Sequence, residues 1–298
     1  MQRILYNQCP ACGSNDIRHQ LNAADHTVSK EAYQIWQCNT CTLRFTQDVP
    51  ALHEIGKYYQ SQEYISHSDT QKGLVNKLYH LVRNYTLGTK LRLIKRVTKK
   101  QAGQILDIGA GTGAFLHTMQ TAGWQVSGLE PDETARQVAK ARYQASLLTP
   151  DHLYTLPNNK YDAITLWHVL EHVHDLQGYF QRFADLLKED GRLIIAVPNY
   201  TSYDAAYYKS EWAAYDVPRH LYHFSPKSMQ GLAAKHGFAV QCIKPMWFDS
   251  FYVSMLSEKY RNGSVLYVAA VLMGLMSNIV ALFKKHRCSS QIYVLKKA

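Results

Sequence analysis

Residues 164–176 read ITLWHVLEHVHDL, so His168, Glu171, His172 and His174 follow a short apolar run. Imidazole is a common metal ligand and the proton carrier best matched to neutral pH. Glu171 and His172 stand three and four residues after His168. On a helix beginning at His168 the three would share a face, which is also ligand spacing. Three readings stand open at this point: a metal site, a catalytic base, or the ordinary start of a helix. A second cluster is clearer. Cys9-Pro-Ala-Cys12 and Cys38-Asn-Thr-Cys41 are two CxxC knuckles with 25 residues between them. Each knuckle turns two thiolates toward one tetrahedral ion, and the insert has room for a strand hairpin, the pattern of a structural zinc ribbon. Four thiolates close the coordination sphere, so no zinc catalysis is expected. A thioredoxin-like role needs one CxxC in a βαβ context, which is missing.

The elements that must position these residues follow from pattern. The chain has 298 residues, 46% of them hydrophobic, enough for a real core. MQRILYNQCP opens without an apolar signal segment, and four of six cysteines sit in knuckles, so a reducing, cytoplasmic setting is expected. The formal charge is +10. Much of it lies in an acid-free stretch holding Lys72, Lys77, Arg83, Lys90, Arg92, Lys95, Arg96, Lys99 and Lys100. Such a stripe meets nucleic acid, anionic lipid or an acidic substrate, or is a solvated helix face. The expected organisation is a ribbon over 1–49, a linker and basic helical segment over 50–100, and an α/β domain over 101–298. Leu74, Leu78, Leu81, Val82, Tyr85, Leu91, Ile94 and Val97 recur at helical spacing, with Gly88 as a break into two helices. Strands at 104–108, 125–129, 163–166 and 192–197 alternate with helices from 114, at 132–143 and at 175–187. This implies a parallel sheet covered by helices. Ser225-Pro226 starts another helix, and 238–243 and 291–295 are the last two strands.

The first strand of that series runs into Asp107-Ile108-Gly109-Ala110-Gly111-Thr112-Gly113. Glycines at alternate positions let the backbone bend sharply and let a ligand lie against it. Glu130 ends the next strand 17 residues after Gly113, and YDAITLWHVLEHV and GRLIIAVPN follow. A nicotinamide-binding loop would need GxGxxG, whereas this one is GxGxG. Together these stretches, over roughly 105–295, resemble the class I S-adenosylmethionine-dependent methyltransferases. The resemblance implies a Rossmann-like seven-stranded sheet with the four-cysteine ribbon attached at its N-terminus. It implies S-adenosylmethionine as cofactor beside a structural zinc. Gly109, Gly111 and Gly113 would line the methionine and ribose, Asp107 the methionine amino group, and Glu130 the ribose hydroxyls. Asp151, in the 148–152 loop, would lie near adenine, and Trp167 at the end of the fourth strand.

In this fold the fourth strand ends beside the reactive methyl, so His168 is expected as pocket wall or base. Glu171 and His172 are expected to hold the turn, and His174 to lie at the surface. Some small-RNA and quinone methyltransferases carry a Glu-x-x-Glu-His metal site here. In this chain His168 stands at the first position, and magnesium prefers oxygen ligands. Residues 199–225 hold six tyrosines and Trp212, an aromatic segment suited to positioning and drying an acceptor. Within it His220 and His223 are further base candidates. Tyr215, Asp216 and Arg219 are substrate candidates, Arg219 holding an acidic group or simply pinning the segment with Asp216.

Residues 264–283 are apolar enough to raise a membrane span. They lie between two strands of one sheet, so a buried or interfacial helix is expected, with peripheral membrane contact through 264–287. The resemblance favours a methyltransferase acting on a small molecule or on a sugar of envelope polysaccharide. The competing readings are an RNA methyltransferase holding nucleic acid on ribbon and stripe, and a non-catalytic zinc-ribbon binding module.

Overall fold

The structure, a computed structural model, describes residues 2–59, 74–284 and 286–298. Lys72, Lys285 and the linker expectation for 60–71 lie outside the described residues, as do the side chains of Leu74, Lys77, Leu78 and Leu81.

The N-terminal part is a small antiparallel unit. β1 (Arg3–Ile4) pairs with β5 (Val49–Pro50), so ribbon structure runs just past residue 49. β2 (Ile17–Ala24) and β3 (Ala32–Cys38) form the hairpin between the knuckles, and β4 (Arg44–Thr46) adds to its edge. The long helix α1 (Leu74–Thr98) follows and is continuous through Gly88. A single helix glycine costs only about 1 kcal/mol, too little to end 25 residues of helix packed on a core.

The alternation expected beyond residue 100 appears as β6 (Gln104–Ile108), α2 (Ala114–Thr121), β7 (Gln125–Leu129), α3 (Glu133–Tyr143), β8 (Tyr161–Trp167), α4 (Leu176–Leu186) and β9 (Leu187–Pro198). Asp132 and Asp175 cap α3 and α4 by accepting from Ala135 and Gly178 amides. After these come α5 (Tyr203–Tyr208), β10 (Tyr222–His223), α6 (Pro226–Lys235), β11 (Phe238–Pro245), α7 (Asp249–Asn262), α8 (Tyr267–Phe283) and β12 (Ser290–Lys297).

The main sheet has the order β11-β12-β9-β8-β6-β7. Its middle is parallel, and β12 is inserted antiparallel between β9 and β11. β8 is covered on both faces, which is why YDAITLW reads as a continuous apolar run rather than an alternation. Six strands are continuous. In place of a seventh, an isolated parallel bridge joins Leu129 to Leu148 beyond β7.

Two features depart from expectation. First, β10 pairs with β4, Tyr222 opposite Phe45 and His223 opposite Arg44. The ribbon and the larger domain therefore share a sheet. Part of the aromatic segment is turned to the ribbon: Tyr208, Trp212 and Tyr215 pack with Tyr33 and Ile35, because that hairpin offers the apolar face they bury against. Second, of the two placements left open for α8, the buried one is not found. Only Ala270, Gly274 and Ser277 face inward, with Gly274 close against Phe251 of α7. Val268, Val271, Leu272, Leu275, Leu282 and Phe283 are exposed. Among the described residues no helix is long and apolar enough to cross a membrane.

Candidate active site

The crevice lies at the carboxyl ends of β6, β7 and β8, where open parallel sheets reverse strand order and bind ligands. The loop after β6 turns on Gly109 (φ 70°) and Gly111 (φ 53°), left-handed conformations that suit glycine. A Cβ on Gly109 would strike Val169 at 2.3 Å, whereas one on Gly111 would meet nothing within 4 Å. The loop is thus packed on one side and open on the other. Glu130, at the end of β7, accepts from the Gly111 amide at 2.7 Å and from the Asp132 amide at 3.0 Å. A carboxylate has about four acceptor sites, so Glu130 keeps capacity for two more donors. Asp107 is 1% exposed and accepts from the Thr165 hydroxyl at 2.6 Å. Burial raises its carboxyl to about 7, against the pull of the Thr165 hydroxyl and of Lys90.

Lys90, on α1, was not singled out as a site residue by sequence. Its ammonium lies 4.1 Å over the Trp167 ring, and desolvation lowers it to about 8 against the nearby Asp107 and Asp249. Trp167 stacks edge-on to Phe115 at 5.6 Å, and its buried Nε1 meets no acceptor among the described residues. Asp151, by contrast, is exposed in the short turn after Thr149.

His168 adopts φ 57° at the end of β8, an uncommon conformation for a residue with a side chain. A short 3₁₀ turn, Leu170–His172, follows, so His168, Glu171 and His172 do not share an α-helical face. The His168 Nε2 lies 2.9 Å from Asp249 at the start of α7, and its Nδ1 3.4 Å from Glu171. Burial lowers its basicity, but the two carboxylates prevail and raise it to about 10. Both nitrogens face carboxylates, which favour the protonated form of the ring. Asp249 was missed in the sequence; the only hint was an acid beside Trp247 and Phe248, which are partly exposed together with Tyr85.

The other acceptor-side candidates are placed elsewhere. Arg219 is 1% exposed and donates to Asp216, to Asp25 at 3.0 Å and to the Tyr58 carbonyl at 2.9 Å. It ties the ribbon to the larger domain and does not present its guanidinium to the crevice. Tyr215 accepts from Arg44 of the ribbon at 2.7 Å. His223 is buried against Thr46 at 3.1 Å, and burial lowers its basicity. The His220 Nδ1 donates to the Ala214 carbonyl at 2.8 Å. His174 is half-buried with Nε2 3.1 Å from the Pro50 carbonyl, not at the surface as expected.

The four knuckle cysteines gather as the spacing predicts, with sulfurs 3.5 Å apart for Cys9 and Cys41 and 3.6 Å apart for Cys12 and Cys38. All four ligand atoms lie within 4.8 Å of one another. That fits a tetrahedral ion at about 2.3 Å from each sulfur.

The fold and this site define a class I S-adenosylmethionine-dependent methyltransferase. Residues 80–243, more than half of the chain, match the methyltransferase-domain family model, and the chain belongs to that family. A ubiquinone biosynthesis O-methyltransferase of Rhodopseudomonas palustris (strain BisB5) is 30% identical over 123 residues, 39% of this chain and 49% of the relative. The mitochondrial ubiquinone biosynthesis O-methyltransferase of Homo sapiens is 26% identical over 181 residues, 53% of this chain and 49% of that protein. This chain spans about half the length of these curated relatives. Among solved structures, magnesium protoporphyrin IX methyltransferase from Synechocystis PCC 6803 with bound SAH has 16% identity and a TM-score of 0.53. That likeness covers 81% of this chain and 97% of that one, and concerns the fold.

Proposed function

We propose that this chain methylates a hydroxyl of a small acceptor with an apolar body, using S-adenosylmethionine. The observation that carries the reading is the open face of Gly111 beside Glu130, with the His168–Asp249 pair at the end of the adjoining strand. The crevice fits the cofactor: space over Gly111, spare acceptor sites on Glu130 for ribose hydroxyls, and a buried Asp107 for the amino group. Gly109 and Gly113 shape the loop. When bound, the cofactor supplies an electrophilic methyl on a sulfonium. The chain's own residues orient the acceptor, exclude water and take its proton. Asp249, partly exposed and held by His168, is the proton-accepting carboxylate of the pair. Tyr85, Trp247 and Phe248 form an apolar rim joined to α8, whose Asn278 donates to the Trp247 carbonyl at 2.8 Å. The rim and the exposed face of α8 suit an acceptor with an apolar portion, and the curated relatives' O-methylation agrees with a hydroxyl target. The four-cysteine cluster suits a structural zinc.

Two members of the basic stripe have local tasks, Lys90 over Trp167 and Lys100 in ion pairs with Asp162 and Asp190, which favours a small acceptor over RNA. The test is methyl transfer from labelled cofactor to three panels: apolar-tailed phenols, nucleotide sugars and RNA. Phenols are expected to accept label, and Asp249→Asn to lower kcat by about 10²–10⁴-fold with unchanged cofactor affinity. Label entering only sugars or RNA would overturn the acceptor reading.

The Asp107 carboxyl gives a pH dependence. An ammonium group pairs with the carboxylate, not the acid, so binding must release the proton that Asp107 holds below about pH 7. Cofactor affinity is expected to rise by up to about tenfold per unit from pH 6 to 7 and to level off near 8. Calorimetry in buffers of different ionisation enthalpy should register proton release at pH 6. Absence of released protons there, with pH-independent affinity, would remove Asp107 from the site.

A further inference from the structure

Between the ribbon and the segment after β9 lies a cleft of about 370 Å³. Arg44 of β4, Tyr200, Lys209 after α5, Tyr215 and Arg287 between α8 and β12 line it, with Leu21 and two alanines among its apolar walls. None of its lining residues is acidic, and it shares none with the crevice of Gly111, Glu130 and Asp249. Arg44 is half-buried and held firmly. Its guanidinium stacks 4.2 Å from the centre of the Tyr200 ring, its Nε donates to Gln37 at 3.0 Å, and its Nη1 donates to the Tyr215 hydroxyl at 2.7 Å. The Tyr200 ring is itself anchored, its hydroxyl donating to the Thr42 carbonyl. The Nη2 of Arg44 is left without a partner among the described residues. Arg287 reaches the same place from the other side, donating from Nη1 to the carbonyl of Thr201, the residue after Tyr200. Lys209 sits at φ 53° and ψ −122°, a conformation that a residue with a side chain rarely adopts. Glu211, two residues on, is turned instead to His26 at 3.1 Å.

Among the described residues none of these three cations pairs with a carboxylate. Elsewhere in the chain neighbouring cations share one, as Lys100 and Lys188 share Asp162. Like charges gathered on one cleft repel each other, and they concentrate an opposite charge that enters. A stacked guanidinium with a free terminal nitrogen is matched to the oxygens of a phosphate. Three positive charges suit a dianion better than a single carboxylate. The volume lies at the small end of small-molecule pockets, about 300–1,000 Å³, and leaves space beside a phosphate for an organic part. We propose that this cleft binds the phosphate of a small organic phosphomonoester, with the organic part against Leu21, Ala205 and Ala206. Arg44 belongs to the ribbon and Lys209 and Arg287 to the methyltransferase domain, so the bound phosphate ties the two together.

Calorimetric titration of the full chain with phenyl phosphate reads binding without turnover and independently of the acceptor reading. The wild type is expected to bind phenyl phosphate more tightly than inorganic phosphate. Lys209→Gln and Arg287→Gln, which alter exposed side chains, should each weaken binding about tenfold, and Arg44→Gln at least as much. Lys140→Gln removes the same charge from α3 and should leave affinity unchanged. Circular dichroism checks that each variant is folded. Vesicles of phosphatidylcholine with and without phosphatidic acid separate a lipid headgroup from a soluble phosphate. Sedimentation with phosphatidic acid alone, lost in Lys209→Gln and Arg287→Gln, would keep the site and make a lipid its source. Three results would overturn the proposal: neither probe binding, inorganic phosphate binding as tightly as phenyl phosphate, or Lys140→Gln weakening binding as much as Arg287→Gln.

Discussion

Arg219→Ala is expected to destabilise the protein by about 3–5 kcal/mol, the cost of breaking a buried ion pair and stranding its partners. The stranded groups are Asp25, whose side chain has no exposure, and Asp216, with 16%. Asp25 also collects the Thr27, Val28 and Ser29 amides at 3.0, 3.1 and 2.8 Å, so the loop after β2 is organised around this carboxylate. Those amides and the guanidinium hold its carboxyl well below the usual range despite burial. Urea unfolding followed by circular dichroism gives the measurement. Unchanged stability together with a raised acceptor KM would instead make Arg219 a substrate-binding residue.

Gly111→Val should lower S-adenosylmethionine affinity by more than about 100-fold, or roughly 2.7 kcal/mol. Two effects add. The new side chain enters the open space over the loop, and a β-branched residue is forced to φ 53°. Gly237→Ala separates them: Gly237 has φ 75° and open space around it but lies beyond α6, so backbone strain alone should leave affinity unchanged. Calorimetric titration of folded variants decides. Wild-type affinity in Gly111→Val would move the cofactor off this loop.

What could be read in the sequence was what local pattern determines. The CxxC spacing brings thiols together whatever surrounds them. The glycine loop and Glu130 follow from consecutive strand–turn–helix units, and the strands announced themselves as apolar runs. Long-range pairing was not legible. Arg219 meets Asp25 across 194 positions, and nothing near either residue marks the other. Asp249 begins the helical insertion near 247–287, whose apolar helix the pattern marked, but nothing in the pattern singled out this acid. Lys90 was hidden in a basic run where a solvated face was an equally good account. His168 was located correctly in the chain, but the left-handed turn that aims its ring at two carboxylates cannot be inferred from residue types.

The shared sheet of β4 and β10 makes the ribbon a poor candidate for removal or exchange. Shortened clones beginning near residue 50 would bare the flank of β10 together with Phe45's former neighbour Tyr222, and unpaired strand flanks invite self-association. Such a clone would also lack Asp25 and Arg44. Its failure in an assay would report on lost architecture rather than on any task of the four-cysteine module, and grafting the ribbon onto another enzyme should not carry activity or selectivity with it.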